Sequence, residues 1–153
     1  QLDWLRDALD CPSSDWGVVI VMHVGLYLAE DGFTDNNSLI NGQAIIEMLK
    51  AYKNKGAYSY TGSNTNYPVS DSGTFANSKG HLVGVWSGHA HADGYCNKDG
   101  FNAIQTECGY PDGTRAVGTI EEICVDCVCV DMTNKTVTLK RFGYGSDRDY
   151  TFI

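Results

Sequence analysis

Two histidines separated by one residue, His89 and His91, follow directly after an apolar run and a glycine. A third, His23, ends an earlier apolar run that is rich in β-branched residues. Imidazole is the commonest metal ligand, and three neutral imidazoles with an open coordination position make a reasonable catalytic site. In extended backbone, residues i and i+2 point the same way roughly 6–7 Å apart, so His89 and His91 can reach one metal ion or two adjacent ones. The spacing therefore predicts a metal site that contains His23, His89 and His91.

Two strands must position these histidines. Residues 16–22 form a continuous apolar run that is typical of a buried central strand, and residues 81–87 predict a second strand. Ligands of open α/β sheets bind at the rim formed by the carboxyl ends of the strands, so we expect His23 and His89 at one rim. Gly88 is expected to permit the sharp exit that carries the following histidines beyond the sheet.

The remaining pattern indicates an α/β (α+β-like) fold, with a mixed β-sheet and flanking helices in a single domain over residues 1–153. Helices come early in the chain and strands come late, which places the helices on one face of the sheet. Residues 55–79 form the least structured-looking segment, which is expected to be a long loop that packs or covers something. The other predicted elements are a helix at 1–9 that ends near 11–12, a helix from Ser38 or Asn41 to about Lys53, a strand at 101–107, a hairpin of 122–132 with 136–142, and His81 as a surface residue at the start of its strand.

Charge and composition limit the partners. With 11 basic and 19 acidic residues the chain carries a net charge of −8 and no Lys/Arg stripe, which disfavours generic nucleic-acid binding. No stretch approaches the roughly 18 apolar residues that span a bilayer, so no membrane partner is expected. The segment from Cys124 to Cys129 contains a Cys-x-x-Cys step, but its alternation favours a strand with cysteines packed as small apolar residues over a zinc site. Several free thiols fit a reducing compartment, and a cytoplasmic location is expected.

The histidine blocks resemble a known family. Gly88-His89-Ala90-His91 after an apolar strand resembles the last signature of the calcineurin-like metallophosphoesterases, and residues 19–23 look like the preceding block of that family, an apolar strand that ends in a single metal-binding histidine. Residues 1–5 resemble the helix that commonly precedes this block. The resemblance covers nearly the whole chain. Features similar to a bacterial and phage-associated branch are residues 78–80, Asp93, Arg115, residues 118–119 and the closing segment 141–148.

The resemblance implies phosphoester hydrolysis at a dinuclear site. Two divalent metal ions (Mn, Fe or Zn) about 4 Å apart would polarise the phosphoryl oxygens and lower the pKa of a bridging water. By position, His23 and His89 would bind one metal and His91 the other.

The N-terminal family blocks Asp-x-His, Gly-Asp-x-x-Asp and Gly-Asn-His-Asp/Glu are absent from this sequence. They supply the other ligands and the histidine expected to protonate the leaving group. We therefore expect the chain to be the C-terminal half of a two-sheet metallophosphoesterase sandwich, without the N-terminal metal-binding half. Its partners would be that missing half and a phosphoester substrate. Alone it would hold the metal ions partially or not at all and would be inactive or nearly so.

Several alternatives stay open at the level of sequence. Asp93 would either orient a ligand imidazole or cap the next turn. Arg115 and Arg148 would contact a phosphate or a neighbouring carboxylate, or lie exposed. Two alternatives to the dinuclear phosphoesterase also stay open. The chain would then be a mononuclear zinc hydrolase that uses His23, His89 and His91 unaided, or a non-catalytic binding or structural module.

Overall fold

A computed structural model describes residues 1–10, 13–14, 16–34, 37, 39–110, 113 and 115–153. The two predicted helices are present as α1 and α2, with one strand between them and the other strands after α2, and short 3₁₀ turns lie at Ala29–Asp31 and Ile120–Glu122. The elements are α1 (Leu2–Asp10), β1 (Gly17–Val21), α2 (Gly42–Asn54), β2 (Ala57–Thr61), β3 (Ser70–Thr74), β4 (His81–Ser87), β5 (Gly94–Cys96), β6 (Ala103–Gln105), β7 (Cys124–Asp131), β8 (Thr136–Gly143) and β9 (Arg148–Thr151).

The first sheet has the strand order β1-β4-β6-β5. Strands β1, β4 and β6 run parallel, and β5 pairs antiparallel with β6. The prediction of a mixed sheet is therefore confirmed. His81 opens β4, at the opposite end of the strand from His89, as the sequence predicted.

The prediction that β1 is a central strand is wrong, because β1 forms one edge of this sheet. Its apolar run arises from burial on two faces rather than from strands on both sides. Val18 and Ile20 pack toward the helices, whereas Val19 packs toward the second sheet. Among the described residues no strand covers the outer edge of β1, and Val21 is 78% exposed.

The molecule has three layers, which are the helices, the first sheet and a second sheet. One apolar core lies between the helices and the first sheet, where Leu49 and Tyr52 of α2 are fully buried. A second core joins Val83 and Ile104 of the first sheet to Leu139 of β8. The expected helices on one face are confirmed, and the other face packs on a sheet, as in a two-layer β arrangement backed by helices.

The segment 55–79 is more regular than its composition suggests. Strands β2 and β3 form an antiparallel hairpin within it, so the prediction of a long loop is wrong except between the two strands. Tyr58 stacks on Phe75 at a centroid distance of 6.0 Å, and its hydroxyl donates to Asp71 at 2.6 Å. β3 reads Ser-Asp-Ser-Gly-Thr, and such a polar strand offers no hydrophobic alternation to detect.

The second sheet has the order β7-β8-β9, with both pairs antiparallel. The predicted hairpin is confirmed, and its turn is held by Asp131, which accepts from the N–H groups of Thr133 and Asn134. The predicted strand is present, but the prediction that its cysteines pack as small apolar residues holds only for Cys124, because Cys127 and Cys129 are exposed on β7. The five cysteines that the structure describes are free, and Cys11 lies outside the described residues. None of the described helices is long and apolar enough to cross a lipid bilayer.

Candidate metal centre

The carboxyl ends of β1 and β4 bring His23 and His89 together. Because the two strands are parallel and pair as far as Val21 with Trp86, the residues that follow them leave the sheet side by side. The backbone ladder continues past the strands, since the N–H of Gly88 donates to the carbonyl of His23 at 3.1 Å. The predicted common rim is therefore present for these two histidines.

The two imidazoles lie within hydrogen-bond distance of each other, and one metal ion would also accept this spacing. Nδ1 of His89 lies 3.1 Å from Nε2 of His23, with ring centroids 4.9 Å apart and an interplanar angle of 76°. With metal–nitrogen bonds of about 2.0–2.1 Å, two nitrogens on one ion are separated by about 3.3 Å at a tetrahedral angle and about 2.9 Å at a right angle. The observed spacing falls between these values. Both side chains are exposed, so an ion held here keeps open positions for water, carboxylates or a substrate.

His91 does not join this pair. Its ring faces Tyr110, with the centroids 6.3 Å apart. Among the described residues no group of three or more His, Cys, Asp or Glu side chains is arranged to hold a metal ion. The structure thus assembles two of the three predicted ligands and leaves the third in the same loop.

The backbone of the histidine loop, residues 88–93, is strained at the histidines themselves. His89 and His91 have left-handed conformations, with φ of 71° and 52°. Such conformations cost on the order of 1–3 kcal/mol per non-glycine residue and persist where the surroundings enforce them, often at functional sites. Gly88 is not among the residues with positive φ, and a Cβ there would meet no described atom within 4 Å. The sharp exit expected from Gly88 is therefore made by the two histidines.

Gln105 secures the start of the histidine loop and was missed by sequence reasoning. Its side chain is 1% exposed, and its Nε2 donates to the carbonyl of Gly88 at 3.3 Å. Its Oε1 accepts from both the N–H and the hydroxyl of Thr34, at 3.0 and 3.1 Å. The available signal was a long polar side chain at the end of a short apolar strand, where a buried amide needs partners.

Asn37 is a second residue that sequence reasoning missed. Its Nδ2 lies 3.5 Å from Nε2 of His89, on the far side of the ring from His23. The residue sits in a loop rich in Asp and Asn, and nothing in its spacing distinguishes it from its neighbours.

Asp93 ends the histidine loop as an acceptor for arginines. Its Oδ1 accepts from Arg141 at 2.8 Å and from the N–H of Glu107 at 3.0 Å, and lies 2.7 Å from Nη1 of Arg148. Burial acts to raise the pKa of Asp93, but hydrogen bonds from Arg141 and Glu107 and the charge of Arg148 lower it below its ordinary value. The contacts found for Asp93 among the described residues include no imidazole, so neither predicted role is the one the structure displays.

Arg115 and Arg148 both contact carboxylates, one of the predicted alternatives. Arg115 donates to Glu107 at 2.7 Å and to the carbonyl of Cys108 at 2.9 Å, and its side chain is 2% exposed. Its guanidinium lies over the ring of Tyr144 at 5.1 Å. Arg115 therefore braces the segment after β6 and does not face solvent as a free cation.

The fold and site define a three-layer α/β protein with an exposed histidine pair at the carboxyl edge of its parallel strands. No family model matches the chain, and the comparisons with curated proteins and with solved structures likewise found no match.

Proposed function

We propose that this chain forms part of the active centre of a metal-dependent phosphoester hydrolase. In this proposal the site holds two divalent metal ions of Mn, Fe or Zn. His23 and His89 bind one of them, and His91 is a ligand of the other. The observation that carries it is the 3.1 Å separation of the ligand nitrogens of His23 and His89 at the rim of the sheet. The resemblance of both histidine blocks to metallophosphoesterase signatures supports the reaction class.

The chain's own residues would orient the ligands and leave room for the rest of the site. When bound, the two metal ions would polarise the phosphoryl oxygens and lower the pKa of a shared water. Gln105 donates to the carbonyl of Gly88 and Asp93 accepts from Arg141, so side chains bind both ends of the histidine loop. The carboxylate ligands and the proton donor for the leaving group would come from sequence outside this chain.

The missing carboxylate ligands would be supplied by a segment that pairs with the exposed edge of β1. Val21 at its end is 78% exposed, and Trp4 on α1 is 72% exposed. Between α1 and β1 lies an apolar groove of about 210 Å³, lined by residues such as Leu5 and Ile20. A strand added in parallel along β1 would end beside His23, which is the position from which a carboxylate reaches the histidine pair.

The decisive experiment compares this chain with a longer form that includes the sequence preceding Gln1. Each is loaded with Mn²⁺, Fe²⁺ or Zn²⁺, analysed for bound metal, and assayed with a phosphomonoester and a phosphodiester of p-nitrophenol. We expect negligible turnover by this chain, metal-dependent turnover by the longer form, and loss of that turnover in His89→Ala.

The other functions give different results in the same assay. Tight one-to-one zinc binding with turnover by this chain alone would support the mononuclear hydrolase. A longer form that binds no metal and hydrolyses neither ester would refute the proposed function and leave a non-catalytic module.

A further inference from the structure

Four charged side chains form a largely buried cluster between the histidine loop and the second sheet. We call Asp93, Asp126, Arg141 and Arg148 the charged quartet. Arg141 donates from Nη2 to Asp93 at 2.8 Å and from Nε to Asp126 at 2.7 Å. Arg148 pairs with the same two carboxylates. The side chains of Arg141, Asp126 and Arg148 are 1%, 9% and 14% exposed, whereas that of Asp93 is 32% exposed, so the cluster is shielded on the side of the second sheet and half-open at the histidine loop.

The quartet connects parts of the chain that no strand pairing joins. Asp126 and Arg141 are direct cross-strand partners on β7 and β8, and Arg148 begins β9. Asp93 belongs instead to the histidine loop, which leaves the first sheet. Arg148 also donates to the carbonyl of Gln105 at 3.2 Å, next to the side chain that holds Gly88. The second sheet therefore binds the end of the histidine loop through Asp93, and it also contacts Gln105, the residue that bonds to the start of the loop.

The residues between these two anchors are the ones with strained backbone. His89 and His91 keep positive φ values while Gly88 and Asp93 are held on either side. A loop fixed at both ends over only a few residues retains few backbone conformations, and this is how a strained geometry is enforced. An arginine fork that binds two carboxylates at once is directional, which a lysine ammonium does not reproduce.

We propose that Arg141 and Arg148 are positioning residues, which act from the second sheet through Asp93 to hold the histidine loop in the conformation that directs His89 at His23. The proposal rests on the proposed function for its purpose, because the orientation matters when the pair binds a metal. The coupling between the quartet and the loop is a separate statement that needs no metal to test.

The experiment measures backbone amide hydrogen exchange in the metal-free chain, and then Co²⁺ affinity. Asp93→Ala removes the oxygen that accepts from Arg141 and the N–H of Glu107 and that pairs with Arg148, while leaving Asp126 to pair with both arginines. Arg141→Lys keeps the charge but loses the fork. Lys140→Met is the matched control, since Lys140 neighbours Arg141 on β8 but its ion pair with Asp147 is exposed. We expect exchange of the amides of Gly88 and Ala90, which donate to the carbonyls of His23 and Gly88, to rise by about tenfold or more in both test variants, with α2 unchanged. Co²⁺ affinity should fall by about tenfold.

The possible outcomes separate the two proposals. Unchanged exchange at Gly88 and Ala90 in both test variants, or an equal rise across α2 and the loop, would overturn the positioning role, because it would show no coupling or only a general loss of stability. A loop-specific rise in exchange supports the positioning role even when the unmodified chain takes up no Co²⁺, whereas a longer form that binds no metal would count against the proposed function alone. Normal Co²⁺ binding by Asp93→Ala despite a mobile loop would overturn the link between loop order and His89.

Discussion

The histidine pair makes a quantitative prediction about metal affinity. Removing either imidazole, by His23→Ala or His89→Ala, should lower Co²⁺ or Zn²⁺ affinity far more than the loss of an isolated surface ligand. The reason is that the two ligand nitrogens already stand 3.1 Å apart, within about 0.2 Å of the separation that one ion requires at either common angle. The second imidazole then binds without a large rearrangement.

The size of the effect follows from this preorganisation. Linking two binding groups in a compatible geometry raises the overall affinity by about 10²–10⁴ over one group alone. We therefore expect each single substitution to weaken binding by about 100-fold, which corresponds to about 2.7 kcal/mol. The double substitution should cost much less than the sum of the two, because each single variant has already lost the chelate.

The assay is a Co²⁺ titration followed by visible absorption, together with the ring ¹H–¹⁵N resonances of the histidines. His81→Ala is the matched control, because His81 lies at the opposite end of β4. His91→Ala should change the affinity of the chain by less than about threefold, as expected of a ligand outside the pair. Additive losses in the double variant, or a loss in His91→Ala equal to that in His89→Ala, would refute the interpretation of His23 and His89 as a chelating pair.

Three further predictions concern stability and are measured by chemical denaturation. Tyr52→Phe should stabilise the fold by up to about 1 kcal/mol at pH 7, because the buried hydroxyl has no hydrogen-bond partner among the described residues. Burial raises the pKa of Tyr52 to about 12, so the folded state holds the phenol proton more tightly than the unfolded state does. The free energy of unfolding is therefore unaffected by this group below pH 10 and falls by about 2–3 kcal/mol as the pH rises toward 12. The Tyr52→Phe variant should not show this fall. Leu139→Ala should cost about 2.7–5 kcal/mol, since Leu139 is 0% exposed in the core between the sheets, and a loss below about 1 kcal/mol would contradict that packing. Gly143→Ala should destabilise strongly, because φ is 98° and the new Cβ would lie 1.8 Å from the carbonyl oxygen of Ile123, whereas Gly88→Ala should stay within about 0.5 kcal/mol of the unmodified chain.

The sequence predicted correctly those helices and strands whose own residues show a clear local pattern. The helix later defined as α2, the strand β4 and the β7–β8 hairpin all follow from periodicity, β-branched content or turn residues, and they lie where the sequence placed them. β2 and β3 were missed because polar and aromatic residues such as those of Ser70–Thr74 show no alternation. The position of β1 was wrong because strand order is decided by distant partners, and an edge strand buried on both faces has the same composition as a central one.

The candidate metal site likewise has one part that the sequence predicted and another that it did not. Strand direction and the carboxyl-end rule were sufficient to predict that His23 and His89 meet, because both depend on short segments. The orientation of His91, by contrast, depends on the positive φ values of His89 and His91, which no short sequence pattern predicts. Arg141 could not be recognised as a partner of Asp93, since 48 residues separate them and the buried charge is explained only by the fold.

The cross-strand pair of Asp126 and Arg141 also decides which alignment of the β7–β8 hairpin is compatible with the folded protein. β7 carries valine and cysteine on both of its faces, so its apolar pattern alone distinguishes poorly between neighbouring alignments. A shift of one residue would turn Arg141 outward and leave Asp126, whose side chain is 9% exposed, without its cross-strand cation, and breaking such a pair typically costs about 3–5 kcal/mol. The same charges thus exclude misaligned hairpins during folding, and only a correctly aligned second sheet can dock against the loop that carries His89.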